Sequence, residues 1–357
     1  MTKRSETRYP VEVIRRFVGQ VLHRATIRKD VVELTTEGLV QASLRGVDSH
    51  GIRLLPHYVD AVEAGRLNPN PNYSFQRTSS ATGNFDADHT LGHASGITAM
   101  RHAMDLAKDA GVGHVAVHNS SHSGAAAYFA IEAASQDFIG LSFTHANSLL
   151  NTPGSTRPFF GLNPICAAIP IEGEAPLCFD SVPAPTSWNK MMSLREEGLP
   201  LPSMCGADSE GIPTDDAGKI TQLLPIGGYR GFGLAMLVDV FCGLLSGMPV
   251  GRDITNMYES PLSQRRQLGQ YYVAVRVDAF QPLTIFKRQM KELVGRVRNE
   301  PRVDPDTPVM VPGDPEKAMV AERSSAGIPV SGTTGAEFDK LAARCGVSSL
   351  SEVHEQG

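Results

Sequence analysis

Val115-Ala116-Val117, then Asn119-Ser120-Ser121-His122-Ser123-Gly124, then Ala125–Ala134 (AAAYFAIEAA) is the stretch whose reading decides the fold. The apolar triplet follows Gly113 and is long enough for a buried strand. Small polar residues and one imidazole break the pattern, and an alanine-rich run without breakers then predicts a helix. A histidine between a strand end and a helix start lies where open α/β layers commonly place their chemistry. Its unperturbed pKa of about 6.5 lets it give or take a proton near neutrality. A lone histidine, however, more often caps or packs, so His122 gains weight only from company elsewhere in the chain.

Working outward, residues 10–66 read as helices. Val13, Ile14, Phe17, Val18, Val21 and Leu22 recur at helical spacing after Pro10, a second run covers 29–45, and a third takes Leu54 to Ala64 and stops at Gly65. Pro69 and Pro71 among Asn and Ser mark a boundary over 66–79. From 80 to 300 the pattern alternates: a helix over His93–Ala110, strands at Ile139–Phe143, Ile165–Ile171 and Leu177–Phe179, a helix over Thr186–Glu197, another from Gly233 to about Leu245, a strand at Gln270–Val277 and a helix at Thr284–Arg298. The tail from 299 is proline-rich and turns helical near 336–345. No internal repeat or low-complexity block is present.

With 357 residues the chain can build two structural units. A formal net charge of −5 argues against nucleic acid or an acidic membrane as partner. The five cysteines form no CxxC pair, which suits a reducing cytosol and speaks against a zinc site. The basic start MTKRSETRYP lacks the apolar run of a signal peptide, and no apolar stretch reaches the roughly 18 residues of a membrane span. A cytoplasmic protein is expected.

Asp48-Ser49-His50-Gly51 is the second candidate for chemistry: either a capping turn with a bystander histidine, or a second acid/base with Asp48 fixing the tautomer. His114, His118 and His122 are four apart, but strand and turn do not align them as a helix would, and no carboxylate pair accompanies them, so no metal is expected. A hydrolase lacks its G-x-S-x-G elbow, and a Rossmann unit lacks its G-x-G-x-x-G. Gly227-Gly228-Tyr229-Arg230-Gly231-Phe232-Gly233 opens a helix; it is either a tight glycine turn or a phosphate cradle aided by Arg230. Asp180 ends a strand and caps a turn or binds; Lys190 is solvated or reaches a phosphate.

Taken in order, VDSHGIRLLPHYVDAVEAG (47–65), NSSHSGAAAYF (119–129), FIGLS, GLNP, Asp180 with Lys190, GIPT, LLPIGGYRGFGLAMLVDV (223–240) and VPGDPE (311–316) resemble the malate/L-lactate dehydrogenase family over most of the chain. That family includes ureidoglycolate and sulfolactate dehydrogenases, a diketogulonate reductase and cyclic-imine reductases. Its ureidoglycolate branch shares HSGA followed by YF and a stretch similar to Gly247–Arg252. The resemblance implies an α/β (α+β) protein with a non-Rossmann NAD(P)-binding mixed-sheet domain, 79–299. A helical domain, 1–78 plus 300–357, would be built from the two ends. It implies NAD or NADP, NAD preferred, a homodimer, and a 2-hydroxy acid, 2-oxo acid or imine as substrate. His122 would move the proton, with His50 in the same cleft and Asp48, Ser49 and Arg53 at the substrate. Ala146, Asp180, Ser181, Val182, Lys190 and Arg230 would touch the cofactor, with Gln289–Lys291 bordering its adenosine end.

The chain also departs from the family. Many relatives carry an arginine for the substrate carboxylate where this chain has Leu54, so Arg53 or another group must take over, or the substrate differs. The usual Phe is Ser123, the Thr of GTNP is Leu162, the Lys before Gly is Arg230, and an Asn position holds His145, which could alter the pocket or the cofactor choice. An oxidoreductase acting at C2 is therefore expected; the alternatives are an imine or diketo-acid reductase, and a scaffold that binds ligand without catalysis.

Overall fold

The computed structural model describes residues 6–196 and 198–355. A short strand β1 (Glu6–Tyr9) precedes helices α1 (Val11–Arg24), α2 (Lys29–Leu44) and α3 (Leu55–Glu63). Strands β2 (Ser74–Arg77) and β3 (Thr82–Asp86) lead into α4 (Gly92–Ala110), β4 (Val112–Ser120), α5 (Ala127–Ala134) and β5 (Phe138–Thr144). Then come β6 (Ile165–Ile169), β7 (Leu177–Ser181), α6 (Trp188–Glu196) and a small sheet of β8 (Gly206–Ala207), β9 (Pro213–Thr214) and β10 (Gln222–Leu223). The chain finishes with α7 (Tyr229–Asp239), which runs on as a π turn over Val240–Leu244, then β11 (Leu268–Arg276), α8 (Leu283–Arg298), α9 (Asp314–Ala326), β12 (Ile328–Ser331), α10 (Gly332–Cys345) and α11 (Leu350–Glu355).

Seven strands form the main sheet in the order β2-β3-β4-β11-β5-β6-β7, and only β3 and β4 are parallel. The sheet is thus mixed, and a strand from late in the chain enters between the two strands that flank the His122 turn. Both faces of this centre are covered. Val115, Val117, Tyr272 and Ala274 pack towards α4, while Ala116, Tyr271 and Val273 pack with Val238 and Cys242 of the α7 region. The period of two along β4 and β11 sends neighbouring residues to opposite layers. The run Tyr271–Ala274 reads apolar at successive positions because both faces are covered. At Gly269 the backbone lies against the Cys242 carbonyl, where an added Cβ would come within 1.6 Å, so only glycine passes.

The two ends of the chain share a core. Phe17, Val21 and Leu22 of α1 pack with Ile328, Phe338 and Leu341, and the Phe17 and Phe338 rings lie 5.3 Å apart. β1 pairs antiparallel with β12. Each large apolar side chain buried here contributes about 1.5–3 kcal/mol before entropy is set against it.

Several local expectations shift. β2 lies inside the Pro- and Asn-rich stretch expected as a boundary, and its mostly exposed SFQR has no apolar face to announce it. The Ala125–Ala134 helix starts at Ala127, and the Thr186–Glu197 helix runs Trp188–Glu196, with Glu197 outside the described residues. α9 went unforeseen. It buries only Arg323, so no apolar stripe shows, although Pro315 in its first turn after Gly313 suits a helix start.

Candidate active site

β4 ends at Ser120, and the turn beyond it is pinned on both sides: the Ser121 hydroxyl donates to the Thr90 carbonyl at 2.6 Å, and Gln270 Nε2 donates to the Ser121 carbonyl at 3.2 Å. Gly124 then takes φ +71°, and a Cβ there would strike His93. The half-buried His122 ring projects from this turn against α3, whose buried Tyr58 places its hydroxyl 2.7 Å from His122 Nδ1. His50, on a 3₁₀ turn before α3, stacks near it with ring centroids 5.6 Å apart. The two imidazoles, 72 positions apart in the sequence, lie side by side.

Burial lowers the His122 pKa well below 6.5, and His50, Arg266, His93 and His57 depress it further. Burial and Arg53 bring His50 to about 4; His57 is also near 4, from burial and then Arg66 and Arg266. His93, fully buried with both ring nitrogens unpartnered, falls to about 3. At neutral pH His122 is therefore uncharged and can accept a proton. For oxidation of a hydroxy acid, kcat/KM is expected to stay level from neutral pH down past the 6.5 of a free imidazole. It should fall tenfold per pH unit only below the depressed pKa. A pH profile that already declines at pH 7 contradicts a neutral His122.

Asp48 does not fix the His50 tautomer as expected. Both its oxygens meet Arg323 of α9, at 2.6 and 2.9 Å, and the Ser49 hydroxyl lies 2.8 Å from His50 Nδ1 instead. The Asp48–Arg323 pair ties the His50 turn to the C-terminal helices. Arg323→Met is expected to lower stability by about 1–3 kcal/mol, and not more, because the Asp48 carboxylate is half exposed. Urea unfolding checks this; an unchanged midpoint removes the pair from the account. Arg53 is exposed and acts electrostatically on His50 and Tyr258, whereas Leu54 is buried in the helical core.

Of the residues expected at the cofactor, Ala146 follows β5, Asp180, Ser181 and Val182 lie at the end of β7, and Lys190 and Arg230 are on α6 and α7. The Ala146 N–H donates to Asn163 Oδ1, whose amide donates to the Ala235 carbonyl of α7. Asp180 Oδ2 accepts the Ala127 N–H at 2.8 Å, and its other oxygen has no hydrogen-bond partner among the described residues. Ser181 and Val182 run into Pro183, whose carbonyl accepts from Ile226 just before the glycine turn. Gly227 and Gly228 there have φ of +58° and +61°, and Arg230 is exposed with no ion pair among the described residues. Lys190 is exposed on α6, whose Asn189 reaches the Ser49 carbonyl at 3.5 Å. Lys291 pairs with Glu172 on the surface at 3.5 Å. His114 meets the Tyr271 hydroxyl and His118 faces Asp86, so neither joins His122, and no group of metal-ligating side chains occurs among the described residues.

Sequence reasoning missed Tyr58 and Arg266. Tyr58 was written in LLPHYVD, one helical turn past Leu54, but a tyrosine on an apolar helix face reads as core. Arg266 lies two residues before β11 and is brought beside the His122 turn only because that strand pairs with β4. Nothing local in SQRRQLG signals it.

Residues 9–338 match the family model described as malate/L-lactate dehydrogenase. The chain belongs to that family. Ureidoglycolate dehydrogenase (NAD(+)) of Escherichia coli strain K12 is 30% identical over 281 residues, covering 79% of this chain and 80% of that relative. Malate dehydrogenase of Pyrococcus abyssi is 30% identical over 354 residues, with 96% of each chain covered. The crystal structure of malate dehydrogenase from Entamoeba histolytica superposes with a TM-score of 0.91 at 26% identity, covering 96% of this chain and 99% of that one. Three further departures from the malate/L-lactate dehydrogenase pattern are packing features: Ser123, Leu162 and His145 are buried, whereas Arg230 is exposed. His145 Nδ1 meets Asp239 at 2.9 Å and its Nε2 accepts the Gly269 N–H at 2.8 Å, holding the β11 crossing in place.

Proposed function

We propose that this cleft interconverts the C2 hydroxyl of a small 2-hydroxy acid and the matching 2-oxo acid with NAD as redox partner, His122 handling the proton. The observation that carries the reading is the stacking of His122, backed by the Tyr58 hydroxyl at 2.7 Å, on His50. The donor set suits a dinucleotide: the free Asp180 oxygen can accept ribose hydroxyls, and exposed Arg230 beside the Gly227–Gly228 turn suits a pyrophosphate. An acid at the ribose favours NAD over NADP. When bound, the nicotinamide accepts or donates the hydride at C2. His122 Nε2 takes the hydroxyl proton in oxidation and returns it in reduction, and Ser49 orients His50 beside it.

Residues 1–78 with 300–357 would form the helical domain and 79–299 the cofactor domain, the cleft lying where they meet. A second copy of the chain would cover the apolar row Leu234, Leu237, Phe241, Leu244 and Leu245, which is exposed along α7 and its π turn. Five cysteines without a disulfide suit a cytoplasmic setting. The function is tested by titrating NADH against Trp188 emission and then following NADH oxidation with malate-, lactate-, ureidoglycolate- and sulfolactate-type 2-oxo acids and a cyclic imine. Binding without oxidation across that panel favours a scaffold without catalysis.

A further inference from the structure

Three arginines among the described residues are buried, and they are satisfied unequally. Arg323 holds the Asp48 carboxylate. Arg66 donates to four carbonyls, those of Met257, Ser260, Pro261 and Gln264, and so folds the loop that precedes β11. Arg266, at the end of that loop and only 3% exposed, has two neutral partners: Nε donates to the Thr255 carbonyl at 3.1 Å and Nη2 to Asn147 Oδ1 at 2.9 Å. A guanidinium carries five N–H donors, so most of this fork is unused. Among the described residues no carboxylate pairs with it and Nη1 makes no hydrogen bond. Burial and Arg66 lower its pKa only to about 10, so it stays charged at neutral pH.

A buried cation with neutral partners costs several kcal/mol unless a counter-charge arrives. Its position says which one. The Arg266 charge acts on His122, His57, Tyr58 and Tyr258, whereas that of Arg53 acts on His50 and Tyr258. Leu268 pairs with Ser120 at the end of β4, so Arg266, two residues before Leu268, stands beside the turn that carries His122, where the acid group next to a reacting C2 must lie. Leu54, turned into the helical core, contributes nothing there.

We propose that Arg266 is the substrate-binding residue that grips the carboxylate of the 2-oxo or 2-hydroxy acid, in place of an arginine at position 54. This rests on the function proposed above and names the missing anchor of the same site. The loop clamped by Arg66 and the amide of Asn147 hold the fork ready, so its free edge meets a planar carboxylate side-on.

The test uses the enzyme–NADH complex and oxamate, a 2-oxo acid analogue that is not reduced, with binding read from NADH emission. Arg266→Met is expected to weaken oxamate about a hundredfold or more, with NADH affinity within about threefold, while Arg53→Met costs less than about fivefold. The reverse ranking overturns the proposal. If Arg266→Met does not fold, Arg266→Lys keeps the charge without the fork and is expected to lose about tenfold; unchanged oxamate affinity overturns the proposal. On the native complex, uncharged oxamide should bind far more weakly than oxamate, and equal affinity also overturns it. A native complex that binds oxamate through Arg266 yet reduces no 2-oxo acid leaves the anchor standing and removes the catalytic reading instead.

Discussion

Replacing His122 with alanine is expected to lower kcat by about a hundred- to ten-thousandfold, while NADH still binds with nearly native affinity. No neighbour can substitute. His50 is 5.6 Å away, centroid to centroid, its Nδ1 is engaged by Ser49, and near pKa 4 it is a weaker base. His93 is sealed beneath the site by Gly124 and Gly38. The alanine variant also strands the Tyr58 hydroxyl, buried without a partner, at about 1–3 kcal/mol of stability. His122→Asn keeps a polar side chain there and should be measured beside it. A folded His122→Asn enzyme that binds NADH and turns over at the native rate ends the assignment of the proton to this ring.

The convergence of His50 and His122 was legible because each lies in a local break of a periodic pattern, with polar residues around it and helix beyond it. The order of the sheet was not. Periodicity identifies β11 as a buried strand but carries nothing about its neighbours, and its insertion between β4 and β5 brings Arg266 to the cleft and seals the His145–Asp239 clamp. Asp48 was misread for a related reason. Sequence adjacency suggested His50 as its partner, whereas its charge is taken by Arg323, 275 positions later and on a helix with no apolar stripe. Local chemistry was readable; pairings across the fold were not, because they depend on which surfaces the core brings together.

Tyr58→Phe is expected to lower kcat/KM by about 10- to 150-fold, equivalent to about 1.5–3 kcal/mol for a hydrogen bond to a group that becomes charged. With Nδ1 held by the phenol at 2.7 Å, only Nε2 of His122 is left for substrate. For Nε2 to accept a proton, Nδ1 must carry the hydrogen and donate it to the Tyr58 oxygen. Burial holds the Tyr58 pKa well above 10, so the phenol stays neutral and acts here as an acceptor. An acceptor at Nδ1 stabilises the imidazolium, so removing it lowers the His122 pKa further. The acid limb of the oxidation profile should then move to lower pH in the Phe variant. A side chain that only filled space would lower activity without moving the inflection. A shift to higher pH is the decisive contrary result: it would mean that Tyr58 donates to Nδ1, that Nε2 already bears the hydrogen in the resting enzyme, and that another group must receive the substrate's proton.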